Sequence, residues 1–358
     1  MKRIFFAICA LMMILGTSCG TRKSSAGAVP SEEEMGAYLF CFFRDQTHSL
    51  YFATSRDGYT FTAVNDGNPV ILGTEVAEQK GVRDPHITRG PDGAFYLAMT
   101  DLHLSAQRAG FRSTRWQREE EEYGWGNNRC LVLMKSYDLI DWSCTDYRID
   151  LAFPEHFGNL GCAWAPQTIY DPVEGKMMVY FTIRIGNGLT RLYYAYTDDD
   201  FTRFVTEPQL LFDYPDPTVQ VLDADISVMP DGRYCMMYVA QTGKSGIKKA
   251  VSQYINRDYV YEPDFVDKEP KACEAPNVWK RIGEDKWILM YDSFSLRPSN
   301  FGFVETTDFV TFTDLGHFNE EGSPMKATNF TSPKHGTVIQ ITEEEASRLE
   351  NYWAQKRQ

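Results

Sequence analysis

The chain reads as an all-β protein, a five-bladed β-propeller closed by strands from both termini and followed by a short C-terminal helix. One observation is a phrase that recurs five times: an apolar and aromatic run, then Ser or Thr, one or more Asp, and an aromatic a few positions on. It occupies residues 50–61, 131–142, 192–204 and 301–312, with a weaker copy at 247–261. No single four-stranded blade buries both of its faces, so repeats of this kind specify a ring. A second observation is that the later four copies are each preceded by an apolar strand, at 95–100, 177–182, 234–239 and 287–291, entered through turns such as Pro91-Asp92-Gly93 and Pro230-Asp231-Gly232. The third is that the remaining blade is split. Its outer strands lie at 37–63 and its innermost piece at 332–339, which closes the ring and covers edges that would otherwise template aggregation.

In chain order, residues 1–18 carry Lys2-Arg3, an apolar stretch from Ile4 to Leu15 and small residues before Cys19, the layout of a cleaved secretory signal. Leu15-Gly16-Thr17-Ser18-Cys19 resembles a bacterial lipoprotein box, with the aliphatic residue one place early, and the resemblance implies a lipid-bearing Cys19. Residues 19–36 hold too little apolar content to fold and are expected to form a tether, ahead of a propeller domain at 37–341. The innermost strands are expected at 84–87, 165–169, 223–226 and 274–278. The long connection 101–128, with Arg108, Arg112, Arg115, Arg118 and consecutive glutamates from Glu119, is expected to wall a pocket. Residues 342–358 read as a helix capped by Thr342 and Glu345, with Ala346, Leu349 and Trp353 on the packed face.

A net charge of -13 and the lack of a Lys/Arg cluster exclude nucleic acid and anionic surfaces as partners. Cys9 leaves with the leader. The other cysteines are scattered without a CxxC pair and read as buried thiols, with Cys130 and Cys144, flanking one strand turn, a candidate disulfide.

Three innermost strands begin with an acid: Asp84, Asp223 and Glu274. One such Asp is an ordinary turn residue. Strands that start at the same end of a ring, however, present their first side chains to one mouth, so acids at repeat-equivalent positions are expected to converge on one cavity. Clustered carboxylates repel, and at least one then keeps its proton near neutral pH, as a general acid must. That arrangement suits glycoside cleavage.

Arg83-Asp84-Pro85-His86-Ile87, Cys162-Ala163-Trp164-Ala165-Pro166, Leu222-Asp223-Ala224, and Cys273-Glu274-Ala275-Pro276 with Trp279-Lys280 resemble the successive blade motifs of glycoside hydrolase family 43, over residues 38–341. The resemblance implies Asp84 as the base that activates water, Asp223 as the residue tuning and orienting the acid, and Glu274 as the general acid. It also implies inversion, with the base and acid carboxyl groups roughly 6.5–9.5 Å apart. Gln167 stands where many relatives carry an acid and is expected to contact substrate. His335, in Lys334-His335-Gly336, matches a family position near the axis that contacts calcium, so a structural Ca2+, mostly water-ligated, is expected there. The chemistry itself needs no cofactor. Trp164 is a candidate platform for a sugar ring, and Arg184 and Arg297, which follow inner strands, are candidate partners for sugar hydroxyls.

The expected activity is removal of terminal sugars, α-L-arabinofuranosides foremost, from an oligo- or polysaccharide. β-Xylosidase, β-galactofuranosidase and endo-arabinanase action are alternatives on the same scaffold, since the carboxylates fix the reaction and not the sugar. A non-catalytic sugar-binding lipoprotein is a further alternative, against which the complete acid trio speaks. Family 32 fructosidases share Arg-Asp-Pro, but their Asn-Asp-Pro motif is missing here. The leader implies export, as a periplasmic or outer-membrane lipoprotein of a Gram-negative bacterium that meets the membrane through its N-terminal anchor alone.

Overall fold

Runs such as Leu39–Phe43 and Phe95–Met99 have no polar stripe, and a strand buried on both faces is what accommodates them. In the structure, a computed structural model describing residues 29–356, both runs lie in strands and are buried at every position. The chain opens with β1 (Met35–Phe43), β2 (Leu50–Ser55) and β3 (Thr60–Ala63). The next blade is β4 (Val82–Arg89), β5 (Phe95–Asp101), β6 (Cys130–Ser136) and β7 (Ser143–Arg148). It is followed by β8 (Leu160–Asp171), β9 (Lys176–Ile185), β10 (Arg191–Tyr196) and β11 (Gln209–Phe212). Then come β12 (Val221–Val228), β13 (Tyr234–Thr242), β14 (Lys244–Ser252) and β15 (Val260–Tyr261). A further blade holds β16 (Glu274–Lys280), β17 (Trp287–Ser293), β18 (Asn300–Thr306) and β19 (Thr313–His317). Finally β20 (Lys326–Thr328) and β21 (Lys334–Thr342) return to the first sheet, whose order is β20-β3-β2-β1-β21. The split blade is thus as the sequence predicts, with one addition: β20 pairs parallel to β3 on the outer edge.

Innermost strands β21, β4, β8, β12 and β16 touch in that cyclic order around the axis. The core is correspondingly divided into five apolar clusters, one at each seam between blades. At the seam between the closing blade and β16–β19, for example, Phe40 meets Phe301 edge-on at 5.8 Å and Phe318 meets Phe303 at 4.6 Å. Because each blade is covered on both faces by its neighbours, stability belongs to the ring.

The ordered domain starts earlier than the sequence suggests: Met35 already pairs with Thr342, and Lys280 reaches Glu32 at 2.6 Å. The helix Glu343–Gln355 has the expected reciprocal cap between Thr342 and Glu345, buries Ala346 and Leu349, and packs Trp353 on the core. Glu345 also receives a two-pronged ion pair from Arg89 (2.8 and 2.6 Å) that fixes the helix to β4. Cys130 and Cys144 are free thiols, so the candidate pair does not form, and Cys144 is exposed where a buried thiol was expected. Cys130 lies opposite Arg148 and Cys144 opposite Met134, four rungs apart, or about 13 Å at the rise of a strand. Cys19 and the leader lie outside the described residues.

Candidate active site

Each innermost strand carries the same irregularity. Arg83 pairs with Thr100 and His86 with Ala98; Trp164 with Thr182 and Gln167 with Tyr180; Leu222 with Val239 and Asp225 with Met237. Glu274 pairs with Asp292 and Asn277 with Met290, while Lys334 pairs with Phe43 and Thr337 with Cys41. In every case three steps on the inner strand oppose two on its partner, which is a β-bulge. The bulges sort the axial residues into layers. Arg83, Trp164, Leu222, Glu274 and Lys334 form one layer; Asp84, Ala165, Asp223, Ala275 and His335 form the next; His86, Gln167, Asp225, Asn277 and Thr337 form a third.

Asp84, Ala165, Asp223 and Ala275 adopt left-handed backbone, with φ of 51°, 47°, 50° and 59°. Such conformations are strained for non-glycine residues and persist where neighbours over-determine them. Here the neighbouring blade does so. Ala165 N–H donates to Thr100 Oγ1 (2.8 Å), Asp223 N–H to Thr182 Oγ1 (3.0 Å) and Ala275 N–H to Asp223 Oδ2 (3.2 Å).

Asp84 and Asp223 are therefore equivalent, as expected, but Glu274 is not. It precedes the bulge and sits directly across the sheet from Asp292, a correction to the inference from strand starts. A bulge reverses which side chains face inward, and its place is not legible in a motif. The offset leaves the Glu274 side chain 32% exposed against 13% for Asp84, while Asp223 is 5% exposed.

The protonation states follow from the surroundings. Burial alone would raise the Asp84 carboxyl, but His335 Nδ1 at 3.4 Å, the adjacent Arg83 and the Thr100 hydroxyl (2.7 Å) outweigh it and hold it at about 2. The His335 imidazole is pushed up to about 8 by Asp84, Asp223 and Glu274 against the effect of burial. Burial raises Asp223 to about 6, with His335 opposing and Asp84 reinforcing. Glu274 is raised furthest, to about 8: burial leads, Lys334 at 3.9 Å opposes, and Asp292 and Asp223 add repulsion. Lys334 divides itself between Glu274 and the fully buried Asp292, which it meets at 2.7 Å. Near neutral pH the axis thus holds one firmly ionised carboxylate and one carboxyl that keeps its proton.

The other expected site residues divide. Trp164 stands in the entrance layer, partly exposed, its Nε1 donating to Gly126 O (2.9 Å) and its ring edge-on to Trp125 at 5.7 Å. Gly126 has φ +63°, and a Cβ there would come within 3.1 Å of that indole, so glycine is needed for the approach. Arg184 is buried over Trp164 and donates to the carbonyls of Tyr123 (2.9 Å) and Trp125 (2.6 Å). Its role is to pin the 101–128 connection over the mouth, where that segment walls the entrance. Gln167 is 1% exposed and accepts from the Tyr180 hydroxyl, which in turn accepts from Ile226 N–H. His86, Asp225 and Asn277 likewise take the N–H of Thr168, Val278 and Val338 on the following blade. The third layer is a set of inter-blade struts, and burial removes Gln167 from reach of a substrate. Arg297 is exposed and satisfies the carbonyls of Phe294 and Leu296 in its own loop (2.6 Å each); no contact brings it to the acids.

His335 is at the axis as expected. Among the described residues, no three carboxylate, imidazole or thiol ligand atoms gather there. Asp292 and Lys334 are the functional candidates that motif reading misses. Their signal is registral: Asp292 stands where two other blades place Thr100 and Thr182, and Lys334 shares a layer with Glu274.

A family model described as a probable glycosyl hydrolase domain, related to family 43, matches residues 33–347. A curated α-L-arabinofuranosidase of Bifidobacterium longum subsp. longum is 28% identical over 317 residues, spanning 76% of this chain and 28% of the relative. The chain therefore covers less than a third of that protein. Among solved structures, a thermostable family-43 glycoside hydrolase superposes with a TM-score of 0.50 at 17% identity, over 76% of this chain and 83% of its own. The GH43 BlXynB protein of Bacillus licheniformis gives 0.50 at 13% identity, over 86% and 55%. At such identities the likeness is one of fold.

Proposed function

The chain belongs to the family of probable glycosyl hydrolase domains related to glycoside hydrolase family 43, and on that premise we propose that it hydrolyses terminal α-L-arabinofuranosides by single displacement with inversion. The observation that carries the reading is the split in proton affinity across one mouth, Asp84 held at about 2 and Glu274 raised to about 8. In this reading Asp84 takes the proton of a water that attacks the anomeric carbon, while Glu274 protonates the departing glycosidic oxygen. Asp223, raised to about 6 and bonded to Ala275 N–H, steadies the backbone next to the acid and keeps its proton affinity high. Trp164 offers a ring for the sugar's apolar face, with Arg184 and Gly126 fixing its angle. Arabinofuranose is favoured by the likeness to the curated relative.

The same proposal places the chain outside the cytoplasm on a Cys19 lipid anchor, a reading supported by the sequence of residues 1–19. A calcium ion beside His335 would have to be ligated mostly by water, and no step above runs through it.

Purified protein should be screened on nitrophenyl α-L-arabinofuranoside, β-D-xyloside and β-D-galactofuranoside, with the anomer first released read by proton NMR. Release of β-L-arabinofuranose from the first supports the reading. A preference for another sugar moves the specificity, a retained anomer overturns single displacement, and inertness toward all glycosides returns the chain to a binding role.

A further inference from the structure

A second cluster of ligating side chains lies away from the axial acids, at one end of the β5–β7 sheet. Glu78 precedes β4, Asp101 ends β5, Cys130 begins β6 and Asp146 lies in β7. Ligand atoms of Glu78, Cys130 and Asp146 all lie within 4.8 Å of one another. The two aspartates each spend one oxygen on the loop that carries Glu78: Asp146 Oδ2 accepts Glu78 N–H (2.7 Å) and Asp101 Oδ1 accepts Gln79 N–H (2.9 Å). Their other oxygens, Asp101 Oδ2 and Asp146 Oδ1, are buried and have no donor beyond the Cys130 thiol. Asp101 is 1% exposed, and both carboxylates act on the Cys130 thiol. A buried acceptor left unmet is costly in a folded protein.

Charge points the same way. Glu78, Asp101, Asp146 and Asp150 face Arg129 and Arg148, four acids against two cations, and burial with repulsion among the acids raises the Asp101 and Asp146 carboxyls. Both arginines have Asp150 as an alternative partner, Arg148 at 2.7 Å and Arg129 at 3.8 Å, so Glu78 can leave them. Arg112 does not fill the gap, since its guanidinium is engaged by Gln79 Oε1 and the carbonyls of His103, Thr114 and Arg115.

We propose that Glu78, Cys130 and Asp146, with Asp101 beside the thiol, form a site for one divalent cation of the zinc class. A sulfur ligand excludes magnesium and calcium, which take oxygen, while a mixed thiolate and carboxylate set suits zinc or cadmium. The dimensions agree. Tetrahedral zinc with bonds of about 2.3 Å to sulfur and 2.0 Å to oxygen separates those ligands by roughly 3.5 Å, and Cys130 Sγ lies 3.5 Å from Glu78 Oε2. Glu78 and Asp146 are partly open to solvent and give the ion its way in. A bound ion would lock the 78–81 loop to the blade, and through Gln79, which donates to Asn127 O (3.1 Å), it would brace the wall of the active-site mouth.

The test is titration of chelator-treated protein with cadmium, following the thiolate-to-cadmium charge-transfer band, then zinc competition. One equivalent should produce the band. Cys130→Ser should lose it, Asp146→Asn should keep it while weakening zinc binding at least about tenfold, and Cys144→Ser, which removes the exposed neighbouring thiol, should change neither. Should Cys130→Ser fail to fold, the Asp146→Asn affinity decides. A band that survives Cys130→Ser, a band lost with Cys144→Ser, an unchanged affinity in Asp146→Asn, or a wild-type protein that binds neither metal overturns the proposal.

Discussion

Replacing Glu274 by Gln should make the protein more stable at pH 8 while abolishing its turnover of natural glycosides. The folded-state Glu274 carboxyl lies at about 8 against an ordinary 4.5. Between those values it is protonated when folded and ionised when unfolded, so folding takes up a proton and stability falls as pH rises, levelling above 8. At 1.36 kcal/mol per pH unit the full shift sets a ceiling near 5 kcal/mol. With 32% of the side chain open to solvent, screening reduces this to on the order of 2 kcal/mol. An amide cannot ionise and escapes the penalty. His335, at about 8 against 6.5, adds a loss between those values in both proteins, smaller in the variant because Glu274 contributes to that shift, which widens the separation in the same direction. Thermal unfolding of wild type and Glu274→Gln from pH 4 to 9 should give coincident curves near pH 4 that separate with rising pH to roughly 4 °C at pH 8. A constant offset, or a gap that closes toward pH 8, would refute the assignment of a proton to Glu274.

Glu274→Ala should be inactive on natural glycosides yet keep part of its rate on dinitrophenyl glycosides, whose leaving group needs no proton, whereas Asp84→Ala should lose both; the opposite pattern in steady-state kinetics would show acid and base exchanged. Lys334→Met should move the alkaline limb of kcat/KM, set by a carboxyl at about 8, upward by about one unit, because the ammonium that favours the carboxylate is gone and protonation of Asp292 returns part of the effect; a limb that stays put or moves down would separate Lys334 from the acid. Truncation after Ser332 removes β21 and should abolish the cooperative unfolding transition of the whole domain, and a calorimetric trace that keeps it would contradict closure through β1 and β21.

Blade number, ring closure and the capped helix were legible because each rests on local pattern: two-sided apolar strands, turn residues, the Thr342 to Glu345 spacing. The acids were legible as residues but not as a geometry. Motif alignment equated Glu274 with Asp84 and Asp223, and the bulge that sets it one layer higher shows itself through pairing with β17, which sequence does not display. Gln167 failed for a related reason. Its neighbours Trp164 and Asp84 face the mouth, but Gln167 lies beyond the bulge, where a side chain supports the next blade. Arg184, a candidate partner for sugar hydroxyls, is instead engaged by the carbonyls of a connection whose path no periodicity specifies.

The left-handed stations of the bulge layer separate delivery from chemistry. Four blades offer the same bent backbone at the same depth, and two of those stations, Ala165 and Ala275, carry nothing but a methyl group. Asp and Asn are the side chains that tolerate such a φ most readily, so a carboxylate or amide can be installed or removed at either station with the main chain already in place. Divergence on this ring is then a matter of repopulating sockets.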